Sequence, residues 1–327
     1  MTSARARFTL VFLLFCGCSV RPASETAKAP AAPRGVERIT YQSWPGALRL
    51  FNGTAEAVIV PSIGRVMRYG YVGGENLLWE DPKLFGQRGA GVDQKTWRNF
   101  GGEKVWPWPQ SDWPRYGGRE WPPPIEVDQR PHEATVVDRS TVRLVSPVLP
   151  GYGVRVARTF RLAPTGSRLT MTIEFIPTRD QRPPAVPWTV AQLRVPDLMM
   201  ARLAPGAGTA YKPMDKFDWP GVKRIDTRAL QLERTPGRAE KIGIDADLLI
   251  WVKGSTFFVQ RSLSAVSSDF APAERAQIFS QKGKDSYVEY EFVAPRGERS
   301  MTVTWELQDL PRDSAKPAAI AGYLRNL

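Results

Sequence analysis

The sequence predicts an all-β fold in which two antiparallel sheets pack face to face. Three observations lead to this prediction. Apolar and polar residues alternate with period two in many short segments, apolar stretches with a helical period are scarce, and 29 prolines and 27 glycines separate the segments. Short strands divided by turn residues are typical of β-sandwiches, whereas α/β proteins alternate strands with helices.

The predicted strands run through most of the chain. A hairpin is predicted from residues 47–51 and 54–60, which flank Asn52-Gly53, a pair that favours a type I′ turn. Residues 271–279 are one short segment that the pattern predicts to be a helix. Further segments that alternate apolar with polar residues, and are therefore predicted to be strands, are 154–162, 169–175, 248–252, 256–261, 287–292 and 301–307.

Residues 1–18 are predicted to be a lipoprotein-type signal peptide. Arg5 and Arg7 give a basic start, and residues 8–15 form an apolar run that is too short to span a bilayer. Cys18 ends a stretch that resembles a bacterial lipobox. We therefore expect lipidation at Cys18 and a place in the bacterial cell envelope, anchored to the outer membrane and facing the periplasm. The alternative is a secreted protein that loses both cysteines, Cys16 and Cys18, with its signal.

Behind the signal peptide, residues 19–36 are rich in alanine, proline and charge, and they are predicted to be a disordered tether. Residues 37–327 contain no second linker and are predicted to form a single domain. Both cysteines precede this domain, so we expect no disulfide to stabilise it.

The formal net charge is +12, from 45 basic and 33 acidic residues, and removal of the signal peptide leaves +10 because Arg5 and Arg7 are lost. The basic residues are scattered, and no nucleic-acid-binding motif accompanies them, so nucleic acid is not an expected partner. A basic surface favours anionic glycans or lipid headgroups. A simple bias toward arginine on a solvated surface is the alternative.

Few catalytic classes are compatible with the composition. The chain has one histidine, His132, and no cysteine pair in the body, so histidine-rich or thiolate metal sites cannot be built. Gly151-Tyr152-Gly153 lacks the third glycine and the helix of a dinucleotide-binding loop. We therefore expect no metal and no cofactor, which leaves carboxylate chemistry or binding alone.

Residues 97–128 (the 97–128 segment) hold five of the eleven tryptophans, and prolines follow four of these five. Because Trp-Pro steps suit neither helices nor central strands, we expect ordered irregular structure with pinned indoles. One interpretation is a loop that plugs the β-core. The other is the wall of a sugar-binding cleft, with aromatic faces and the polar residues Asn99, Lys104, Gln110 and Asp128 as contacts.

Glu289 and Glu291 lie two residues apart on a predicted strand, so their side chains share one face. Neighbouring carboxylates raise each other's pKa, which can make one of them a usable acid or base. The alternative is a solvated strand face that carries two acidic residues.

Residues 57–66 and 74–79 resemble the opening of galactose mutarotase-like (aldose 1-epimerase-like) domains. Residues 99–110, with Trp121-Pro122-Pro123-Pro124 and Asp128, resemble a bacterial branch of that superfamily, the DUF4380 proteins. Later stretches at 153–160, 188–192 and 287–291 extend the resemblance over residues 40–308. It implies a β-supersandwich of two large antiparallel sheets that binds a pyranose.

In catalytic members of this superfamily, a glutamate takes the anomeric proton and a histidine protonates the ring oxygen. The resemblance implies Glu289 or Glu291 as the base, without choosing between them, and His132 is the candidate acid, with Lys104 or Asp128 as alternatives. The strands that hold histidines in epimerases have none here. The candidate ligand contacts are Asn99, Lys104, Trp106, Trp108, Gln110, Trp113, Asp128, Arg158, Trp188 and Gln192.

Three functions follow as hypotheses. The first is a carbohydrate-binding envelope lipoprotein without standard epimerase activity, whose partner is a sugar or anionic glycan and whose membrane contact is the lipid anchor only. The second is a sugar 1-epimerase with a substituted general acid. The third is an assembly lipoprotein that docks a protein partner through its Trp/Pro-rich segment. The sequence leaves the oligomeric state open.

Overall fold

The computed structural model describes residues 34–89, 97–179, 185–207, 210–214, 216–264, 270–283, 286–309 and 316–324. They belong to one compact unit, Ala32–Leu327. The predicted signal peptide, Cys18 and residues 19–33 of the predicted tether lie outside the described residues. The first strand begins at Gly35, which is inside the predicted tether.

Twenty strands make up about half of the described residues. They are β1 (Gly35–Tyr41), β2 (Trp44–Phe51), β3 (Ala55–Val60), β4 (Arg65–Tyr71), β5 (Glu103–Trp108), β6 (Glu133–Asp138), β7 (Thr141–Val145), β8 (Val154–Leu162), β9 (Leu169–Pro177), β10 (Val186–Arg194), β11 (Leu198–Leu203), β12 (Tyr211–Pro213), β13 (Val222–Arg224), β14 (Ala229–Leu232), β15 (Glu240–Ile244), β16 (Ala246–Lys253), β17 (Thr256–Ser262), β18 (Ala276–Ser280), β19 (Tyr287–Val293) and β20 (Ser300–Asp309). The described helices are α1 (Trp113–Gly117), α2 (Ile125–Asp128) and α3 (Pro317–Leu324), and single 3-10 turns lie at Pro61–Ile63, Pro82–Leu84 and Gln110–Asp112.

The strands form two sheets of ten strands each. The first sheet has the order β1-β2-β3-β4-β5-β10-β19-β18-β15-β12, and the second has the order β13-β14-β11-β16-β17-β20-β9-β8-β7-β6. Neighbouring strands pair antiparallel throughout the described residues. The predicted all-β fold of two large antiparallel sheets is confirmed.

The two sheets share a core between their inner faces. On β19, Val288, Tyr290 and Phe292 are buried in this core, and the Tyr290 hydroxyl donates to the Ile250 carbonyl of the second sheet at 2.5 Å. Since side chains alternate along a strand, Glu289 and Glu291 project from the opposite face. We call this the outer face of the first sheet.

The 97–128 segment contains a strand, although the sequence predicted irregular structure throughout. β5 runs through Pro107, which lies opposite Pro187 of β10. The Pro107 carbonyl accepts from Trp113 Nε1 and the Pro187 carbonyl accepts from Ala294 N, each at 2.8 Å. Both carbonyls thus point away from the partner strand. The two prolines form a non-hydrogen-bonded pair, where a missing N–H removes no bond between β5 and β10.

Two local predictions were wrong. Gly53 has a positive φ of 86° but Asn52 does not, so the hairpin turn is not type I′, which needs both. The Asn52 side chain instead accepts from Thr54 N and Ala55 N at 3.0 Å each. The predicted helix over 271–279 is absent: its last four residues belong to β18, where Ala276 and Ile278 alternate with Gln277 and fit a strand between β15 and β19, and the residues before them form turns.

Within the described ranges, no helix has the length and apolar character needed to cross a membrane.

Candidate functional site

Five adjacent strands of the first sheet, β5, β10, β19, β18 and β15, align their outer-face side chains. The register places Trp106 opposite Trp188, Gln192 opposite Glu289, and Phe279 opposite both Glu289 and Lys241. These residues are far apart in the sequence. The sheet order therefore brings them together, and no local motif contains them all.

Glu289 lies at the centre of this surface. Its Oε1 atom accepts from Gln192 Nε2 at 2.8 Å and lies 3.7 Å from Lys104 Nζ. The Glu289 side chain is 10% exposed, whereas Lys104 is fully buried beneath it. Burial lowers the pKa of Lys104 to about 8, although Glu289 opposes this shift. Lys104 Nζ has no hydrogen-bond partner among the described residues.

Glu291 lies deeper on the same strand. Its Oε2 atom accepts from Trp188 Nε1 at 2.8 Å and lies 3.7 Å from Lys241 Nζ. Burial raises the pKa of Glu291 to about 7, and the nearby Glu289 charge adds to this effect while Lys241 opposes it. The two glutamates therefore differ in exposure: the Glu289 side chain reaches solvent, whereas the Glu291 side chain is fully buried.

Asp128, at the end of α2, ties the 97–128 segment to the sheet. Its carboxylate accepts from Trp106 Nε1 at 2.9 Å, from Trp97 Nε1 at 2.8 Å and from Arg65 Nη2 at 2.8 Å. Burial alone would raise the pKa of Asp128, but the Arg65 and Lys104 charges and the hydrogen bonds outweigh it and lower the pKa. Asp128 is therefore an ionised anchor for two indoles.

The tryptophans form one continuous aromatic cluster. Trp106 contacts Trp113, Trp121 and Trp188 with ring centroids 5.7, 6.0 and 5.2 Å apart. Trp113 is fully buried and Trp106 is 3% exposed, whereas Trp121 is 46% exposed. The buried indoles of Trp106 and Trp113 fill the base of the cluster, as expected for a loop that plugs the core. The exposed Trp121 lies at its edge, as expected for the wall of a cleft. Each interpretation therefore describes one part of the segment.

A pocket of about 540 Å³ opens above these residues (the outer pocket). Its aromatic lining includes Trp97, Trp106, Trp121, Trp188, Phe217 and Phe279. Its polar lining is Gln110, Lys216, Lys241, Gln281, Tyr287 and Glu289. Ligand pockets of this kind combine mostly aromatic walls with a few polar groups that fix orientation.

Several residues of the outer pocket were missed by sequence reasoning. Lys241 lies between Glu240 and Ile242 on β15, and the inward Ile242 and Ile244 give a period-two signal that could have placed it on the outer face. Phe279 fell within the helix that was predicted wrongly. Lys216, which is exposed near Phe217, has no such local signal.

The other candidate contacts lie around the outer pocket. Trp108 packs on Trp188 with centroids 5.2 Å apart and lines a neighbouring cavity of about 380 Å³. Asn99 is half-buried and its side chain lies near the Tyr287 hydroxyl, whose pKa it helps to lower against the effect of burial. Trp113 lies below the rim and donates to Pro107, so it supports the wall from behind.

Arg158 lies away from the outer pocket. It projects from β8 of the second sheet into the space between the sheets, where Nη1 donates to Glu103 Oε2 at 2.9 Å and Nη2 donates to the Gly64 carbonyl. Glu103 is on the inner face of β5, one residue before Lys104. Arg158 therefore belongs to the buried interface between the sheets and does not face a ligand in this pocket.

His132 also lies elsewhere, packed against Gly64. A Cβ atom on Gly64 would come within 2.2 Å of His132 Nδ1, so only glycine fits beside the ring. Burial lowers the pKa of His132 to about 3, and Arg158 and Arg65 add to this shift. Nδ1 lies 3.0 Å from the Arg130 carbonyl, which places the proton on Nδ1 of a neutral ring. A neutral ring outside the pocket is not positioned to act as its general acid.

The described residues contain no group of three or more histidine, cysteine, aspartate or glutamate side chains arranged to hold a metal ion.

No family model matches the sequence. A search of curated proteins likewise found no similar sequence.

Solved structures do share the fold. A galactose 1-epimerase from Lactobacillus acidophilus is 12% identical with a TM-score of 0.52, and the match covers 85% of this chain and 99% of that chain. A galactose mutarotase-like protein from Lactobacillus casei is 12% identical with a TM-score of 0.51, covering 80% of this chain and 100% of that chain. At this identity the likeness concerns the fold alone. The chain therefore has the two-sheet sandwich fold of galactose mutarotase-like proteins.

Proposed function

We propose that the outer pocket binds a pyranose sugar and that the protein is a carbohydrate-binding envelope lipoprotein without standard epimerase activity. The observation that supports it best is the convergence of Trp106, Trp188 and Glu289 on one pocket, within a fold that sugar-acting proteins share. A pyranose offers apolar C–H faces to indole rings and hydroxyl edges to carboxylate and amide groups.

Two sequence features support the finer parts of this proposal. The lipobox-like stretch ending at Cys18 supports lipid anchoring at the outer membrane, and residues 99–110 support placement in the DUF4380 branch. The position of His132 outside the outer pocket supports the absence of standard epimerase activity, because the usual histidine acid has no counterpart beside Glu289.

Tryptophan fluorescence should report binding, because indoles line the pocket. We expect saturable changes when D-glucose or D-galactose is added to the soluble body. Glu289→Gln should weaken binding about tenfold or more, since a charged hydrogen-bond acceptor is lost. Glu306→Gln, on β20 of the second sheet, is the matched control and should bind like the wild type. No response to any neutral or acidic sugar would refute the proposal.

A second candidate function is sugar 1-epimerisation with a lysine in place of the histidine acid. The observation that favours it is that Lys241 lines the same pocket as Glu289, so an acid and a base could flank one ring. Polarimetry on freshly dissolved α-D-galactose tests it. A rate equal to that in buffer, and unchanged in Glu289→Gln and Glu291→Gln, would exclude this candidate.

The protein-docking hypothesis has less support, because little of the tryptophan surface is exposed to a partner. Trp106 and Trp113 are 3% and 0% exposed, because they already pack within the protein. Of the tryptophans in the 97–128 segment, Trp121 is the one with a large exposed area. A partner would therefore meet mainly this single indole.

A further inference from the structure

Among the described residues, those of the outer pocket and its floor carry more positive than negative charge. Lys241 and Lys216 line the pocket and Lys104 lies beneath it, whereas Glu289 and Glu291 are the carboxylates beside them. Asp128 is already paired with Arg65, so the two cancel. Three lysines and two glutamates leave a net charge of +1, and protonation of Glu291 raises this charge to +2.

The two inner lysines also have unused hydrogen-bonding capacity. Lys104 Nζ is buried without a hydrogen-bond partner among the described residues. Lys241 Nζ lies 3.7 Å from Glu291 Oε2, beyond hydrogen-bond distance, and 5.1 Å from the centre of the Trp188 ring. An ammonium group has three donors, and leaving them unused in a buried place is costly. A bound anion would accept from Lys241 directly and would be stabilised by the Lys104 charge below.

Building on the sugar-binding function proposed above, we propose that the preferred ligand is a uronic acid, a pyranose whose C6 is a carboxylate. Lys241 and Lys216 hold the carboxylate, while the Trp106 and Trp188 rings and Glu289 contact the ring and its hydroxyls. The excess of one positive charge matches a monoanion. With Glu291 ionised, a phosphate dianion would leave the pocket negative, and neither arginine nor glycine is among the described lining residues, which therefore supply neither an arginine fork nor the usual glycine of a phosphate-binding loop.

Calorimetric titration with sugar pairs that differ only at C6 tests this directly. D-galacturonate is compared with D-galactose, and D-glucuronate with D-glucose, at low ionic strength. We expect the wild type to bind the uronate about tenfold or more tightly than its neutral partner, since a direct charge pair in a half-enclosed site is worth more than one on the surface.

Substitutions of lysine then test whether the Lys241 charge causes the uronate preference. Lys241→Gln should bring the uronate-to-neutral affinity ratio close to one, and Lys241→Arg should retain most of it. Lys83→Gln, which alters a lysine outside the pocket on the Pro82–Leu84 turn, is the control and should keep the wild-type ratio. Thermal melts of all variants confirm that each is folded before its ratio is interpreted.

The outcomes separate the two proposals. If neutral sugars and uronates bind equally well to the wild type, the uronate preference is refuted and sugar binding stands. If the preference persists in the Lys241→Gln/Lys216→Gln double variant, the assignment to these lysines is refuted. If no sugar of either kind binds, the proposed function itself fails.

Discussion

At the scale of single residues, Lys104 is a charge whose burial is costly to the folded state. It is fully buried and lacks a hydrogen-bond partner among the described residues, and burial lowers its pKa from 10.5 to about 8. A lysine with a depressed pKa binds fewer protons in the folded than in the unfolded state between these two pH values. Stability from this group is therefore lowest below pH 8 and rises toward pH 10.5.

We predict that Lys104→Met raises the free energy of unfolding at pH 7 by about 1–3 kcal/mol, because it removes this desolvated charge. In this variant Gln192 still donates to Glu289, so the Glu289 carboxylate keeps a hydrogen-bond partner when the Lys104 charge is removed. The gain should shrink as the pH rises from 8 to 10.5. The same variant should lose part of the uronate preference, because the pocket charge falls from +1 to zero.

Urea unfolding at pH 7 and pH 10 measures the first effect, and sugar titration measures the second. Lys83→Met, which changes an exposed lysine, is the control and should change stability by less than about 0.5 kcal/mol. A lower free energy of unfolding for Lys104→Met at pH 7 would show that Lys104 stabilises the fold, against this prediction.

Sequence reasoning reached some of these residues and not others. Period-two alternation was enough to place Glu289 and Glu291 on one face, because that spacing is a local property of a strand. It could not choose between them, since what distinguishes them is their depth relative to β10 and β15. Arg158 was named as a ligand contact from a local match, but its partner Glu103 is 55 residues away and lies on the other sheet.

At the scale of elements, the start of β5 determines where the pocket residues lie. Gly101 and Gly102 have φ values of 91° and 70°, and the next four residues include Lys104 and Trp106. A Cβ atom on Gly101 would come within 2.1 Å of the Trp79 carbonyl oxygen. The glycine pair lets the chain pass close to Trp79 and enter the sheet beside β10.

We predict that Gly101→Ala lowers the free energy of unfolding by about 3 kcal/mol, because a backbone clash adds to the strain of a positive φ. Gly118 is a matched control, with a φ of 79° and no atom within 4 Å of an added Cβ. Gly118→Ala should cost about 1 kcal/mol from the φ alone. Chemical denaturation gives both values, and equal losses would show that contact with Trp79 does not matter.

The strand β5, which was not predicted, and the helix over 271–279, which was predicted wrongly, have different physical causes. The Trp-Pro steps suggested irregular structure because proline lacks an N–H, but Pro107 faces Pro187 where neither would donate to the other strand. Which positions of a strand are hydrogen-bonded depends on the register of its partner. Residues 271–279 looked helical because only the last four of them belong to a strand, and so short an alternating run does not stand out from the residues before it. Neither the register of β5 nor the pairing of β18 with β15 and β19 can be read from a single segment.

At the scale of the whole molecule, a buried ion pair joins the two sheets behind the outer pocket. Arg158 of the second sheet donates to Glu103 of the first, and both side chains are almost fully buried. Glu103 also accepts from Thr189 Oγ1 at 3.3 Å, on the strand that holds Trp188. The inner faces of β5 and β10 are thereby fixed in the region whose outer faces form the pocket.

We predict that Arg158→Met lowers the free energy of unfolding by about 3–5 kcal/mol, because it leaves Glu103 as an uncompensated buried carboxylate. Burial already raises the pKa of Glu103 despite the opposing Arg158 charge, so without Arg158 the pKa rises further. Below that pKa the carboxyl is neutral. The loss of stability should therefore be smaller at pH 5 than at pH 8.

Urea unfolding of three variants at both pH values tests this account. Glu103→Gln combined with Arg158→Met should recover most of the loss at pH 8, since a neutral amide can remain buried near Thr189. Arg168→Met breaks the exposed pair with Glu306 on the outside of the second sheet and should cost less than about 1 kcal/mol. If Arg158→Met is no worse than Arg168→Met, or if the double variant is as unstable as the single one, the ion pair does not hold the sheets together in the way its burial implies.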